Sequence, residues 1–238
     1  MAETVSERIA ILVDGGFYLR RAKALFGEKD AKGRADELYE YCLRHLKGTG
    51  ENESGVLYRL FYYDCPPIDT TLYHPLTKEH VNMRKTARNA WTKAFFNELA
   101  NKRKLAIRLG ELQERESGFR IRGKAVKRIC RGDMTFDDLT EEDFELDLVQ
   151  KGVDMRIGLD IASLADKRLV TRIVLIAGDS DFVPAAKHAR REGIDFVLDP
   201  MWQGIRKELN IHIDGLHSCT PKRPSPETEP LCVRTTSE

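Results

Sequence analysis

The chain has 238 residues, 41% of them hydrophobic and 32% charged, which excludes fibrous and disordered classes and allows one α/β domain with an insertion or two small domains. No apolar run approaches the roughly 18–20 residues that span a bilayer, and the N-terminus lacks a basic-then-apolar signal, so a cytoplasmic location is expected. Net charge is +1, but residues 81–131 hold 15 Lys or Arg against 4 Glu, and residues 132–147 hold 8 acidic residues and no basic one. The five cysteines form no CxxC pair, and the six histidines show no ligand spacing, so neither a zinc site nor a disulfide framework is suggested.

The apolar run Ile9 to Val13 predicts a first strand over 8–13, and Phe17 to Phe26 a helix closed by Gly27. Leu38, Cys42 and Leu46 recur at helical spacing and predict a helix over 35–46, ended by Gly48 and Gly50. Val56 to Tyr63 reads as a second strand, and Cys65-Pro66-Pro67 onward to Pro75 as a loop. Val81, Ala87, Trp91 and Phe95 predict a long helix over 77–101, followed by a strand over 105–109. Phe119 to Ile121 is a weak strand signal, and 133–148 reads as an acidic turn and then a short helix. A helix over 153–165, a strand over 172–177, a helix over 182–191 and a strand over 194–198 follow. A short helix over 203–208 and a strand over 211–213 come last. From Pro221 the tail is proline-rich and polar, the composition of a disordered segment. Alternating strands and helices predict a three-layer, Rossmann-like α/β/α fold with a mostly parallel central sheet.

In such a sheet, ligands gather at the carboxyl ends of the strands. Asp14 ends the first apolar strand, before Gly15-Gly16. Asp179 and Asp181 follow the strand over 172–177 in Gly178-Asp179-Ser180-Asp181. Asp154 sits in the first turn of the helix over 153–165, flanked by Lys151 and Arg156. Each aspartate alone has a plain explanation as a helix cap, a turn residue or a dipole partner. Together, carboxylates converging on one crevice repel one another unless a divalent cation lies among them. The expectation is a Mg²⁺ or Mn²⁺ site that handles phosphate esters, with Asp14, Asp154, Asp179 and Asp181 as metal ligands and catalytic groups. Asp160 falls on another face of its helix and is left out.

Ile11-Leu12-Val13-Asp14-Gly15-Gly16, Lys151-Gly152-Val153-Asp154 and Gly178-Asp179-Ser180-Asp181-Phe182-Val183-Pro184, in this order, resemble the NYN domain family, in particular its LabA-like branch. That family belongs to the PIN-like superfamily of metal-dependent ribonucleases. The resemblance covers roughly residues 8–215 and implies hydrolysis of RNA phosphodiesters at the four aspartates. One NYN/PIN-like domain over 1–220 is expected, with a basic-then-acidic insertion at about 77–148. Many family members carry an asparagine shortly after the first aspartate, where this chain has Phe17.

Lys151, Arg156, Ser180, Arg84 and Arg88 are the expected contacts to RNA phosphates. The basic stretch reads equally as a solvated face neutralised by the acidic stretch. Trp91, Phe95 and Phe96 read as helix packing rather than base stacking. Two alternatives stay open. One is a non-catalytic RNA-binding or regulatory module, which the Phe17 departure favours. The other is a haloacid dehalogenase-type phosphatase, disfavoured because Gly16 stands where its second aspartate is needed. An exposed edge strand would also permit a homodimer.

Overall fold

The structure, a computed structural model, describes residues 7–47, 55–113 and 118–220. Gly48 and Gly50, and the tail expected to be disordered from Pro221, lie outside the described residues.

β1 (Arg8–Asp14) leads into α1 (Gly15–Phe26), which Gly27 ends at φ 78°. α2 (Ala31–Arg44) begins before the expected residue 35 because Asp30 Oδ1 caps it, accepting from Gly33 N–H at 2.8 Å. β2 (Val56–Asp64) follows. The stretch expected as a loop contains β3 (Thr71–Tyr73), which pairs antiparallel with β4 (His80–Asn82). The long helix expected over 77–101 is therefore shorter, α3 (Ala87–Ala100), and starts where Thr86 Oγ1 accepts from Asn89 N–H. Val81 matched its helical stripe by coincidence and faces the hairpin's own apolar cluster instead.

β5 (Leu105–Leu109) is followed by the short strands β6 (Glu111–Leu112) and β7 (Gly118–Ile121). α4 (Gly123–Arg131) was not expected from the sequence. The acidic stretch after it forms no α-helix. Asp138 and Asp143 fold back onto Thr135 and Thr140 in two single turns, and β8 (Phe144–Asp147) then pairs with β7. β9 (Gln150–Lys151) pairs with β6 and precedes α5 (Val153–Asp166). β10 (Arg172–Ile176), α6 (Val183–Arg191) and β11 (Asp195–Asp199) stand close to expectation. α7 (Lys207–Asn210) and β12 (Gly215–Leu216) come later than expected. Met201 and Trp202 hold φ of 46° and 62°, a left-handed turn just before the expected helix start at residue 203.

Six strands form one all-parallel sheet in the order β12-β11-β10-β1-β2-β5. Numbered by appearance, this is the doubly wound order whose switch point lies between its first and fourth strands, here β1 and β10. The strand side chains alternate between two cores. Ala10, Leu12, Ile173 and Leu175 pack on α5 and α6 through Ile157, Ile161 and Ala186. Ile9, Ile11, Val13, Val174 and Ile176 pack on the layer of α1, α2 and α3 through Tyr18, Leu38 and Phe95. The result is the expected α/β/α sandwich.

Within the stretch expected as an insertion, α3 and β5 belong to the main layers. The hairpins outside those layers gather around a third cluster of Ile68, Leu72 and Met83, joined by Phe119, Leu146 and Leu148.

A buried polar knot lies at the same carboxyl edge of the sheet, two strands away from β1. Asp199, 0% exposed at the end of β11, accepts from Met201 N–H (2.7 Å), Ser218 Oγ (2.8 Å), Tyr41 Oη and His45 Nε2 (2.9 Å). The donor atoms of His45, Asp199 and Cys219 lie within 4.8 Å of one another, although no ligand spacing was visible in the sequence. Both oxygens of Asp199 are already engaged by four donors, so the carboxylate is satisfied without an ion.

Candidate active site

β1 and β10 are neighbours, with Val13 in register with Ile176. The acidic residues that follow these strands therefore emerge side by side, at the switch point of the sheet. Asp14 lies at the carboxyl end of β1 and Asp179 in the turn after β10. α5 begins at the same edge, with Asp154 in its first turn after Gly152, which takes φ 79°. Asp14, Asp154 and Asp179 line one crevice with a volume of about 770 Å³. A second hollow of about 500 Å³ lies against α2, among Phe26, Glu37 and Arg44, apart from these residues.

Two glycines allow the close packing of the site. A β-carbon on Gly15 would lie 2.5 Å from the Tyr62 ring and 2.6 Å from the Tyr63 carbonyl. That glycine serves the seating of α1 on β2, whereas the sequence suggested close approach to a ligand. A β-carbon on Gly178 would lie 2.5 Å from Phe17 Cε2. Phe17 is 4% exposed and packs in the core under the turn that carries Asp179. Where many relatives are expected to carry an amide, this chain has a packing residue. Asp14 also caps α1, accepting from Phe17 N–H at 3.1 Å, so the plain reading of that residue holds alongside its place in the crevice.

Burial pushes the Asp14 carboxyl up to about 6; the Phe17 N–H opposes this, and the charges of Asp154 and Asp64 add to it. Burial, then repulsion from Asp179 and Asp181, raises Asp154. None of these carboxylates makes an ion pair among the described residues; Arg20, on the crevice wall, opposes the shift of Asp14 only weakly.

Sequence reasoning missed Asp64. It ends β2 in the position that Asp14 holds on β1, is 9% exposed, and lines the same crevice. The strand-end rule that singled out Asp14 applies equally to Tyr62-Tyr63-Asp64, but β2 runs one residue beyond its expected end at Tyr63. Asp64 Oδ1 accepts from Cys65 N–H (2.7 Å) and Oδ2 from Tyr62 Oη (3.0 Å), while burial raises its pKa.

The other expected residues divide. Arg88 lines the crevice. Arg84 does not: its guanidinium is engaged by Asp69, at 2.6 Å to the carboxylate and 2.9 Å to the carbonyl. Ser180 accepts from Arg206 at 3.2 Å, and Asp181 donates its N–H to Asp179 at 3.2 Å; neither reaches the crevice wall. Lys151 is held in the β6–β9 pair beside the crevice, and Arg156 stands near Gly152 and Cys65. Asp160 points elsewhere, to Tyr63 Oη at 2.8 Å and Arg108.

Much of the basic stretch is neutralised locally. Arg120 pairs with Glu145 and Asp147, Arg122 with Glu145, Lys102 with Asp36, and Arg108 with Asp160. Of the expected aromatics, Phe95 is fully buried, and Trp91 packs on it at 5.1 Å and 14°. Trp91 also forms part of the crevice wall, which its helical spacing did not reveal.

A doubly wound parallel sheet with carboxylates clustered at its switch point defines a Rossmann-like α/β domain with an acidic crevice. The chain belongs to the NYN domain family, a PIN-like nuclease family: the family's model matches residues 82–202, half of the chain. The matched segment contains Asp154, Asp179 and Asp181, whereas Asp14 and Asp64 lie before it. This membership is at odds with the dehalogenase-type reading. Nucleases of the family generally use a divalent metal. No curated protein matches the chain by sequence. Among solved structures, a protein of unknown function from Vibrio parahaemolyticus is similar, with 14% identity over 91% of this chain and 94% of that one and a TM-score of 0.44. No helix among the described residues is long and apolar enough to cross a membrane.

Proposed function

We propose that the protein is a metal-dependent ribonuclease that hydrolyses RNA phosphodiesters in this crevice. The observation that carries the reading is the convergence of Asp14, Asp64, Asp154 and Asp179 on one crevice, none of them in an ion pair among the described residues. An all-oxygen donor set of this kind fits a hard divalent cation, Mg²⁺ or Mn²⁺. Asp14, Asp154 and Asp179 would hold it, with Asp64 beside Asp14 and Asp181 acting on Asp154 through its charge. When bound, the ion supplies an activated water and stabilises charge on the phosphoryl oxygens. The chain's own residues contribute orientation. Phe17 N–H fixes one Asp14 oxygen, Asp181 N–H fixes one Asp179 oxygen, and Arg88 and Arg20 offer positive charge along the wall.

We read residues 1–220 as one domain, and the order of the three motifs supports the LabA-like branch. Incubation of the full chain with mixed RNAs, with and without Mn²⁺, tests the reading. Cleavage that requires the ion and falls at least a hundredfold in Asp179→Asn supports it. RNA binding without cleavage under any divalent ion supports instead a binding module on the same fold, the reading Phe17 favours.

A further inference from the structure

Trp91 is held in place from two directions. Its indole Nε1–H donates to the Lys29 carbonyl at 3.1 Å, and its ring lies nearly parallel to that of the fully buried Phe95. The two contacts set the orientation of the ring, and it remains partly exposed in the wall of the acidic crevice. Packing alone accounts for the buried Phe95; it does not require a rigid indole at the edge of an acidic cleft. Arg88 sits one turn earlier on the same face of α3, exposed and without an ion pair among the described residues. The same crevice thus holds carboxylates suited to a phosphodiester, a cation suited to a phosphate, and an aromatic face held by two contacts.

We propose that Trp91 is the stacking surface for a nucleobase next to the phosphodiester held at the aspartates, with Arg88 taking a phosphate of the same strand. This rests on the crevice being an RNA site. It adds a base-binding position that the acidic residues do not supply. A fixed aromatic face costs little ordering on binding and accepts any base, so the position selects for an unstacked base and not for a sequence.

The chain has two tryptophans, and the other, Trp202, is tied to Thr220 by its indole N–H. In a Trp202→Phe variant of the full chain, emission reports Trp91 alone. With EDTA present to prevent cleavage, a short oligouridylate is expected to quench that emission to saturation. An oligomer of equal charge built from abasic spacers is expected to bind without quenching. Trp91→Leu is expected to weaken oligouridylate binding roughly 5- to 150-fold and leave abasic binding unchanged, with Trp91→Phe between the two. Binding of oligouridylate without quenching, equal loss for both oligomers in Trp91→Leu, or no binding of either oligomer overturns the proposal. The quench is read in a variant with Trp91 intact, so the test stands even if Trp91→Leu folds poorly. Quenching without any cleavage would leave this inference standing and remove the nuclease reading. Cleavage that depends on Asp179 while Trp91 stays silent would do the reverse.

Discussion

The ring of Phe17 occupies the space that a methyl group on Gly178 would need, with Cε2 2.5 Å from that position. The residue that follows the Asp14 turn and the residue that precedes Asp179 are thereby locked together. Gly178→Ala must push the Asp179 turn away or force Phe17 out of its pocket. We expect a loss of about 1–3 kcal/mol in chemical denaturation and a drop in cleavage. Combining it with Phe17→Leu should recover part of both losses, and strict additivity of the two single changes would contradict the contact.

Asp14 supplies a stability prediction with a definite sign. Its folded pKa, about 6, lies above the ordinary 3.8. A carboxyl shifted this way favours the folded state while protonated; that contribution is complete below about 4 and lost as pH rises through about 6. At neutral pH and without divalent ions, ionised Asp14 therefore destabilises the fold, by up to about 3 kcal/mol. Asp14→Asn keeps the helix cap and removes the charge. In EDTA its melting temperature should exceed that of the parent at pH 7.5, and the gap should close towards pH 4. A lower melting temperature at pH 7.5 would sink the idea.

Divalent ions should act in the opposite direction. Mn²⁺ is expected to raise the melting temperature of the parent, since a ligand that binds only the folded state stabilises it by mass action. Asp154→Asn should shift this response to higher Mn²⁺ concentrations. Asp181→Asn should shift it less, because Asp181 does not line the crevice and reaches Asp154 only through its charge. Equal shifts in both variants, in a titration followed by thermal melting, would show that this ranking is mistaken.

The knot around Asp199, none of whose members lines the crevice, predicts a loss of stability. Asp199→Ala leaves the Met201 N–H, Ser218, His45 and Tyr41 donors facing a buried void. We expect at least about 3 kcal/mol lost in urea unfolding. On the proposed function, folded protein measured well below its melting temperature should keep its RNA cleavage, because neither Asp199 nor its donors line the crevice.

Arg88 and Arg84 should separate in RNA binding. Arg84 is engaged with Asp69, and Arg88 has no such partner among the described residues. Arg88→Ala should lower the slope of log affinity against log salt by about one, and Arg84→Ala should leave it nearly unchanged. Equal slopes for the two variants would mean that neither side chain contacts phosphate.

Local physics in the sequence determined where acid residues stand relative to buried strands. The unbroken run Ile9 to Val13 has to be a strand covered on both faces, so Asp14 has to appear at its carboxyl end. The same reasoning located Asp179, and the helical spacing of Val153, Ile157, Ile161 and Leu164 located α5. Only the tertiary structure decided which neighbours share the crevice. Asp64 joins Asp14 because β2 lies against β1, Arg84 leaves because Asp69 reaches it first, and Trp91 arrives because α3 packs on α2 and β5. His45 meets Asp199 and Cys219 across more than 150 positions for the same reason. A run of side chains fixes its own burial and period over a few residues. Strand order and helix placement come from the pairing of whole faces far apart in the chain, and no local pattern records that pairing.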